Sequence, residues 1–312
     1  MAVLKAMRPH SWPSPPEDGG DEDDDVQPGD DDEVFVTDSS VLVTVTEGSA
    51  DPERERAMMG MHCEWSGVTC GKDNKVVKLE LNVKDIEGTI PRDIASLREL
   101  ERLYLFANQL TGTIPPELGL LTKLTHMSLG DNKLEGTLPP ELSGMRSLEF
   151  LYIFSNKVSG TVPPEFGSLP NLKHLGLWSN ELTGTIPPEL GSIATLEYLW
   201  LNTNRLSGTI PPSITNLAKV KYMYVSGNQA LTGPLPLGIE KLQRLEGLYL
   251  QFTDVTGSIP CEVAAIPTMK KLEAHNSTIE GCTDLKCLRQ QCGLEPAGIE
   301  PAPPKGAAPQ GG

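Results

Sequence analysis

One spacing governs this chain. An apolar residue marks the same place at Leu79, Leu103, Met127, Leu151, Leu175, Leu199, Met223, Leu248 and Leu272; seven of the eight steps are 24 residues and one is 25. Ala230, an extra residue after Asn228, accounts for the longer step. A unit this short cannot bury its own apolar face, so it must stack on its neighbours and share one continuous core. The 312 residues therefore predict one elongated stack, because each coil touches only the next. Around each mark the apolar residues alternate at period two, which predicts a strand. Nine coils over 76–281, the first and last imperfect, would place nine strands side by side at ~4.8 Å, a parallel sheet about 40 Å long.

The other columns of the repeat specify how each coil closes. Asn108, Asn132, Asn156, Asn180, Asn204 and Asn228 stand where the chain leaves the strand. A buried Asn there both donates and accepts for backbone groups that the turn would orphan, at a cost of ~1–3 kcal/mol each. Lys84, Thr253 and Ser277 take its place toward the ends, where less burial is expected. A Thr-Gly-x-Ile-Pro block then recurs at Gly88, Gly112, Gly136, Gly160, Gly184, Gly208, Gly233 and Gly257. Gly permits close approach between coils, and Pro presets φ for a helical turn. Glu117, Glu141, Glu165 and Glu189 fall in that first turn, where carboxylates favour the helix dipole. They read as solvated helix starts rather than a calcium ladder.

At Cys63-Glu-Trp65-Ser-Gly67-Val68-Thr-Cys70 the chain resembles the N-terminal cap of plant-type extracellular leucine-rich-repeat proteins, whose pattern C-x-W-x-G-V-x-C it matches at every fixed position. The Thr-Gly-x-Ile-Pro block is the mark of the same class, and the resemblance covers roughly 61–281. It implies an α/β solenoid, a right-handed superhelix with a concave parallel β-sheet, short 3-10 or helical turns on the convex side, and a second short sheet. Receptor-kinase ectodomains and polygalacturonase-inhibiting proteins are relatives of this kind.

The open end of the first coil needs a lid in any case. Trp65 and Val68 supply apolar area, and a Cys63–Cys70 disulfide would pin the loop; free thiols or zinc fit the spacing less well. Cys261, Cys282, Cys287 and Cys292 cluster at the other end, where three pairings are open. Six cysteines confined to the two ends argue for disulfide-bonded lids and an oxidising compartment. The expected domains are an acidic tail 1–60 with a possible hairpin at 34–46, a cap 61–75, the repeats 76–281, a second cap 282–292, and a Pro/Ala/Gly tail 293–312.

Charge and motifs exclude several function classes. Residues 1–60 hold 16 of the 42 acids but only 4 of the 26 bases, so the net charge of −16 sits mostly in the tail. With no basic stripe, nucleic acid is not an expected partner. No window reaches the ~20 apolar residues of a membrane span. Pro9, Pro13 and Pro15 interrupt any secretory h-region, which conflicts with the cysteines. An extracellular or cell-surface location is expected, with the cytoplasm as the alternative. Asn276-Ser277-Thr278 is a glycosylation sequon at Asn276 that adds weak support. No catalytic grouping, cofactor motif or metal-ligand spacing is found, so the chain reads as a non-enzyme.

The positive signal is a column pattern. Positions one before, one after, and three and four after each mark should face outward from the concave sheet. They hold Tyr104, Phe106, Phe150, Tyr152, Phe154, Trp178, Tyr198, Trp200, Tyr222, Tyr224, Tyr249 and Phe252, which is 12 of the 16 aromatics, together with His174. Aromatics suit strands, but that does not explain their near absence elsewhere. An exposed aromatic patch predicts an interaction surface. Gly176 lies between Tyr152 and Trp200, two strands apart at ~9.6 Å, which predicts a slot floored by glycine. The expected ligand is a protein or peptide. The alternative is a cell-wall glycan stacked on the same rings, with His126, His174 and Asn202 as hydrogen-bonding groups. A third reading is an ice-binding or structural solenoid working through the threonine column Thr113, Thr137, Thr161, Thr185 and Thr209.

Overall fold

A computed structural model describes residues 62–64 and 66–294, all within one compact unit. The tail 1–60 with its hairpin at 34–46, Trp65, and the tail from 295 onward lie outside the described residues. Ten strands form the main sheet. Nine of them are parallel and in register on the repeat mark, as in Leu103↔Met127 and Leu175↔Leu199. The tenth, Val68–Cys70, pairs antiparallel with Val76–Glu80 and covers the first coil's edge. That strand was not foreseen. A lid that returns through a short loop can only pair antiparallel, and it satisfies backbone groups that an edge would leave open.

Each strand ends because the next turn is forced. The residue four after the mark adopts a left-handed backbone even where it is not glycine: Val83 at φ 56°, Ala107 at 56°, Asp131 at 51°, Thr203 at 55° and Phe252 at 56°. Such conformations cost about 1–3 kcal/mol and persist only where the surroundings over-determine them. Here the Asn ladder does so. Asn204 Nδ2 donates to the carbonyls of Leu177 (3.0 Å) and Leu201 (3.0 Å), while Oδ1 accepts from the Leu182 N–H at 3.1 Å. The same pattern holds for Asn228 one coil on. Thr253 departs from the expectation of lower burial, being 2 % exposed; its hydroxyl donates to the Leu250 carbonyl at 2.6 Å.

On the far side of the coil lie five-residue 3-10 turns such as Pro116–Leu120 and Pro188–Ser192, with Pro opening each. A Cβ at Gly119 would lie 2.0 Å from the Glu141 carbonyl oxygen, so these turns approach too closely for any side chain. A second, short sheet accompanies them, including the four-stranded group from Ser207–Gly208 to Thr278–Glu280. Between the sheets runs a leucine core, which also takes Phe166, an aromatic placed inward. The ends are bonded by Cys63–Cys70, Cys261–Cys292 and Cys282–Cys287. Cys261–Cys292 ties the helical turn Cys261–Ala264 to the end of the helix Leu285–Gln291, and Cys282–Cys287 ties that helix to the loop before it.

Candidate ligand-binding surface

The parallel register aligns side chains that are 24 residues apart in sequence. His126 stacks on Phe150 at 4.3 Å between ring centroids, and Phe150 meets His174 edge-on at 4.5 Å. His174 lies 4.2 Å from Tyr198, which stacks on Tyr222 at 5.5 Å. One column over, Tyr152 stacks on Trp200 and Tyr224 on Tyr249, the latter at 4.0 Å and 8°. Phe154 and Trp178 lie flat together at 4.0 Å and 4°, and Trp178 meets Trp200 edge-on at 5.4 Å. Pairs of this geometry contribute about 0.5–1.5 kcal/mol each beyond area burial. The rings therefore hold one another in place over coils four to eight.

That mutual packing changes which residues are available. His174 (6 %), Trp200 (8 %) and Tyr224 (6 %) are buried beneath neighbouring rings rather than open. The Tyr152 hydroxyl is 2.6 Å from His174 Nδ1. Phe150, Tyr152, Phe154, Trp178, Tyr198, Tyr222 and Tyr249 are half-buried, as are Tyr104 and Phe106 nearer the N-terminus. Tyr104 reaches the array edge-on through His126 at 6.2 Å. Phe252 is 52 % exposed, sits in the left-handed turn and meets His275 at 5.9 Å. Asn276 is exposed in the equivalent turn of the last coil.

The slot over Gly176 does not exist. Tyr152 and Trp200 lean across the glycine to a centroid separation of 6.1 Å at 24°, less than the ~7 Å that two ring stackings would need at ordinary van der Waals contact. A Cβ on Gly176 would lie 2.6 Å from Tyr152 Cδ1. Strand spacing alone had suggested a gap, but large side chains beside a glycine collapse onto it because the vacated volume is refilled.

A charge ladder borders the array two residues before each mark. Lys173 pairs with Glu149, Lys221 with Glu197 and Lys270 with Glu246, each at 2.6 Å. Lys173 and Lys221 also lie over the rings of Phe150 (6.0 Å) and Tyr198 (5.8 Å). For Glu197, burial opposes ionisation, but the hydrogen bond and charge of Lys221 outweigh it and hold the carboxyl below its ordinary value. The Glu197 bond raises Lys221 in turn. Burial, reinforced by the 3.1 Å bond to Glu246, pushes the Tyr222 phenol up to about 12. Sequence columns had marked the aromatics but not this ladder, although the alternation Glu149, Lys173, Glu197, Lys221, Glu246, Lys270 was there to be read.

With stacked coils, an Asn ladder and paired end disulfides established, known proteins can be set beside the chain. The description "Leucine rich repeat" matches residues 98–158, and again 171–193 and 195–217. About a third of the chain thus matches leucine-rich-repeat models, and its fold is the leucine-rich-repeat solenoid. The repeat protein is 42 % identical over 45 residues to a "Probable leucine-rich repeat receptor-like protein kinase" of Arabidopsis thaliana, a match covering 14 % of this chain and 5 % of that one. It resembles the Arabidopsis receptor kinase HAESA, solved in complex with the peptide hormone IDA and the co-receptor SERK1. That likeness has 32 % identity and a TM-score of 0.64, over 70 % of this chain and 37 % of the other. It also resembles a plant ice-binding protein, with 25 % identity and a TM-score of 0.57, over 70 % of this chain and 78 % of that one. The repeat protein thus spans well under half of the receptor chains it matches. No helix among its described residues is long and apolar enough to cross a membrane.

Proposed function

We propose that this chain is a non-catalytic binding module that recognises a protein or peptide ligand on its concave aromatic face. The observation carrying this reading is the ring array from Phe150 to Tyr249, held by stacking across successive strands. Rings fixed before binding lose little side-chain entropy on contact, which favours recognition. Half-buried Tyr and Trp also match the composition of binding hot spots. The likeness to a receptor kinase solved with a peptide hormone supports the peptide class, and the three disulfides support an extracellular or cell-surface location. Panning a random linear-peptide library on the full chain tests it. Convergent peptides that Trp178→Ala and Tyr198→Ala each weaken about tenfold or more, with the fold intact, are expected. Recovery of no such peptide, alongside glycan-array binding sensitive to the same changes, would replace the peptide with a sugar.

A second reading rests on the convex side. Thr89, Thr113, Thr137, Thr161, Thr185 and Thr209 are exposed, and each turns its Cγ2 methyl toward the glycine of the next coil. A regular threonine face together with the likeness to an ice-binding protein makes thermal hysteresis the measurement for this alternative. Glu87 and Glu135 break the neighbouring column, so the expected hysteresis is nil.

A further inference from the structure

The column three residues after each mark changes character at the sixth strand of the parallel set, Tyr198–Trp200. Phe106, Phe154 and Trp178 give way to Asn202, Ser226 and Gln251. Backbone bonds hold these three side by side, from Thr203 N–H to the Ser226 carbonyl and from Gly227 N–H to the Gln251 carbonyl, both at 2.8 Å. Asn202 is 1 % exposed and Ser226 8 %, so this stretch is recessed between Trp200 and Tyr224 on one side and the left-handed turn on the other. Within it, Asn202 Nδ2 and Gln251 Oε1 are buried and have no hydrogen-bond partner among the described residues. The Gln251 orientation is set, because its Nε2 donates to a Glu273 carboxylate oxygen and a carboxylate accepts only.

Buried polar groups without partners are costly, and native chains that keep them put them to use. Here one orphan is a donor and the other an acceptor, and the three side chains of the stretch carry no charge. The nearby cation Lys271 is already paired with Glu273 at 2.7 Å. A free terminus, carboxylate or phosphate would find no counter-charge. A main-chain segment offers what is missing: one carbonyl to accept and one N–H to donate. Two strand steps separate Asn202 from Gln251, ~9.6 Å, and an extended peptide advances ~10 Å in three residues. Both atoms are covered in the free protein, so the amides turn outward on contact. Side-chain rotations of this kind are common at interfaces; Asn202 Nδ2 gives up no bond in turning, and Gln251 exchanges its Nε2 bond to Glu273 for the one its Oε1 gains.

We propose that Asn202 and Gln251 form a neutral main-chain clamp that fixes the register of an extended, internal peptide segment running along the stack of coils. It rests on the peptide reading above and deepens it. The test takes the best peptide selected from the random library and a series of analogues, each N-methylated at one main-chain nitrogen. At one position N-methylation should weaken binding to the full chain about tenfold, and in Gln251→Met that penalty should shrink to about twofold or less. Asn202→Leu should weaken the parent peptide while raising the thermal midpoint of the free protein, since the orphaned donor is gone.

Failure of the clamp and failure of the peptide reading look different. If peptides bind and depend on Trp178, yet the N-methyl profile is flat or unchanged by Gln251→Met, the clamp alone is overturned. A lower midpoint for free Asn202→Leu would assign that residue to the scaffold and overturn it too. If no Trp178-dependent peptide is recovered, the peptide reading falls and takes the clamp with it.

Discussion

Glycine means different things on the two sides of each coil. On the convex side, a Cβ at Gly119 would strike the Glu141 carbonyl at 2.0 Å, and one at Gly191 the Ser213 carbonyl at 2.2 Å. These are backbone atoms shared by neighbouring coils and cannot yield. On the concave side, a Cβ at Gly176 would meet Tyr152 and Trp178, and one at Gly247 would meet Tyr222 and Tyr249. These are ring atoms that can turn aside. One side of the coil is set by coil-to-coil distance, whereas the other is set by whichever side chains its neighbours carry. Only the second is free to be shaped by a ligand.

The largest effect should come from the ladder that both sides need. Asn204→Leu removes the bonds to Leu177, Leu201 and Leu182 and should cost about 3–5 kcal/mol in a urea titration. A cost under about 1 kcal/mol would mean that the left-handed turn stands without it. Gly119→Ala should follow at about 2–3 kcal/mol, and Gly176→Ala at about 1 kcal/mol or less, with altered tryptophan fluorescence as the rings reorient. Equal costs for the two glycine substitutions would erase the contrast between the sides. Trp178→Ala should weaken a library-selected peptide by about 2 kcal/mol while leaving a single cooperative urea transition, since Trp178 lies outside the leucine core.

The smallest effect is a pH dependence. The Tyr222 phenol, raised from 10.0 to about 12 in the fold, keeps its proton where the unfolded chain has lost it. Stability from this group is therefore complete below pH 10.0 and falls as pH rises toward about 12. Wild type should lose midpoint faster than Tyr222→Phe across that window. Parallel losses would remove the Glu246 contact from the account. At the acid end, the lowered Glu197 carboxyl works in the opposite sense. Its contribution is present above the ordinary value of 4.5 and lost as pH falls below it.

The repeat made the scaffold readable because every structural demand recurs with the coil. Leu103, Asn108, Gly112 and Pro115 each answer one demand, and the same demand returns 24 residues on. The concave residues were readable as a set but not in their states. Nothing in a column of letters says that Tyr152 and Trp200 close over Gly176, or that His174 is covered by its neighbours, because those outcomes depend on ring volumes across three strands at once. The antiparallel lid at Val68–Cys70 and the pairing of Cys261 with Cys292 were hidden for another reason. They occur once each, so no period announces them.

Photo-crosslinking tests the central claim most directly: a library-selected peptide bearing one photoreactive residue is coupled to the full chain, and the modified residues are mapped by mass spectrometry. The account predicts crosslinks on concave strand residues between Phe150 and Tyr249, with Trp178 and Tyr198 among them. Crosslinks gathered instead on the convex threonines from Thr89 to Thr209 would contradict it.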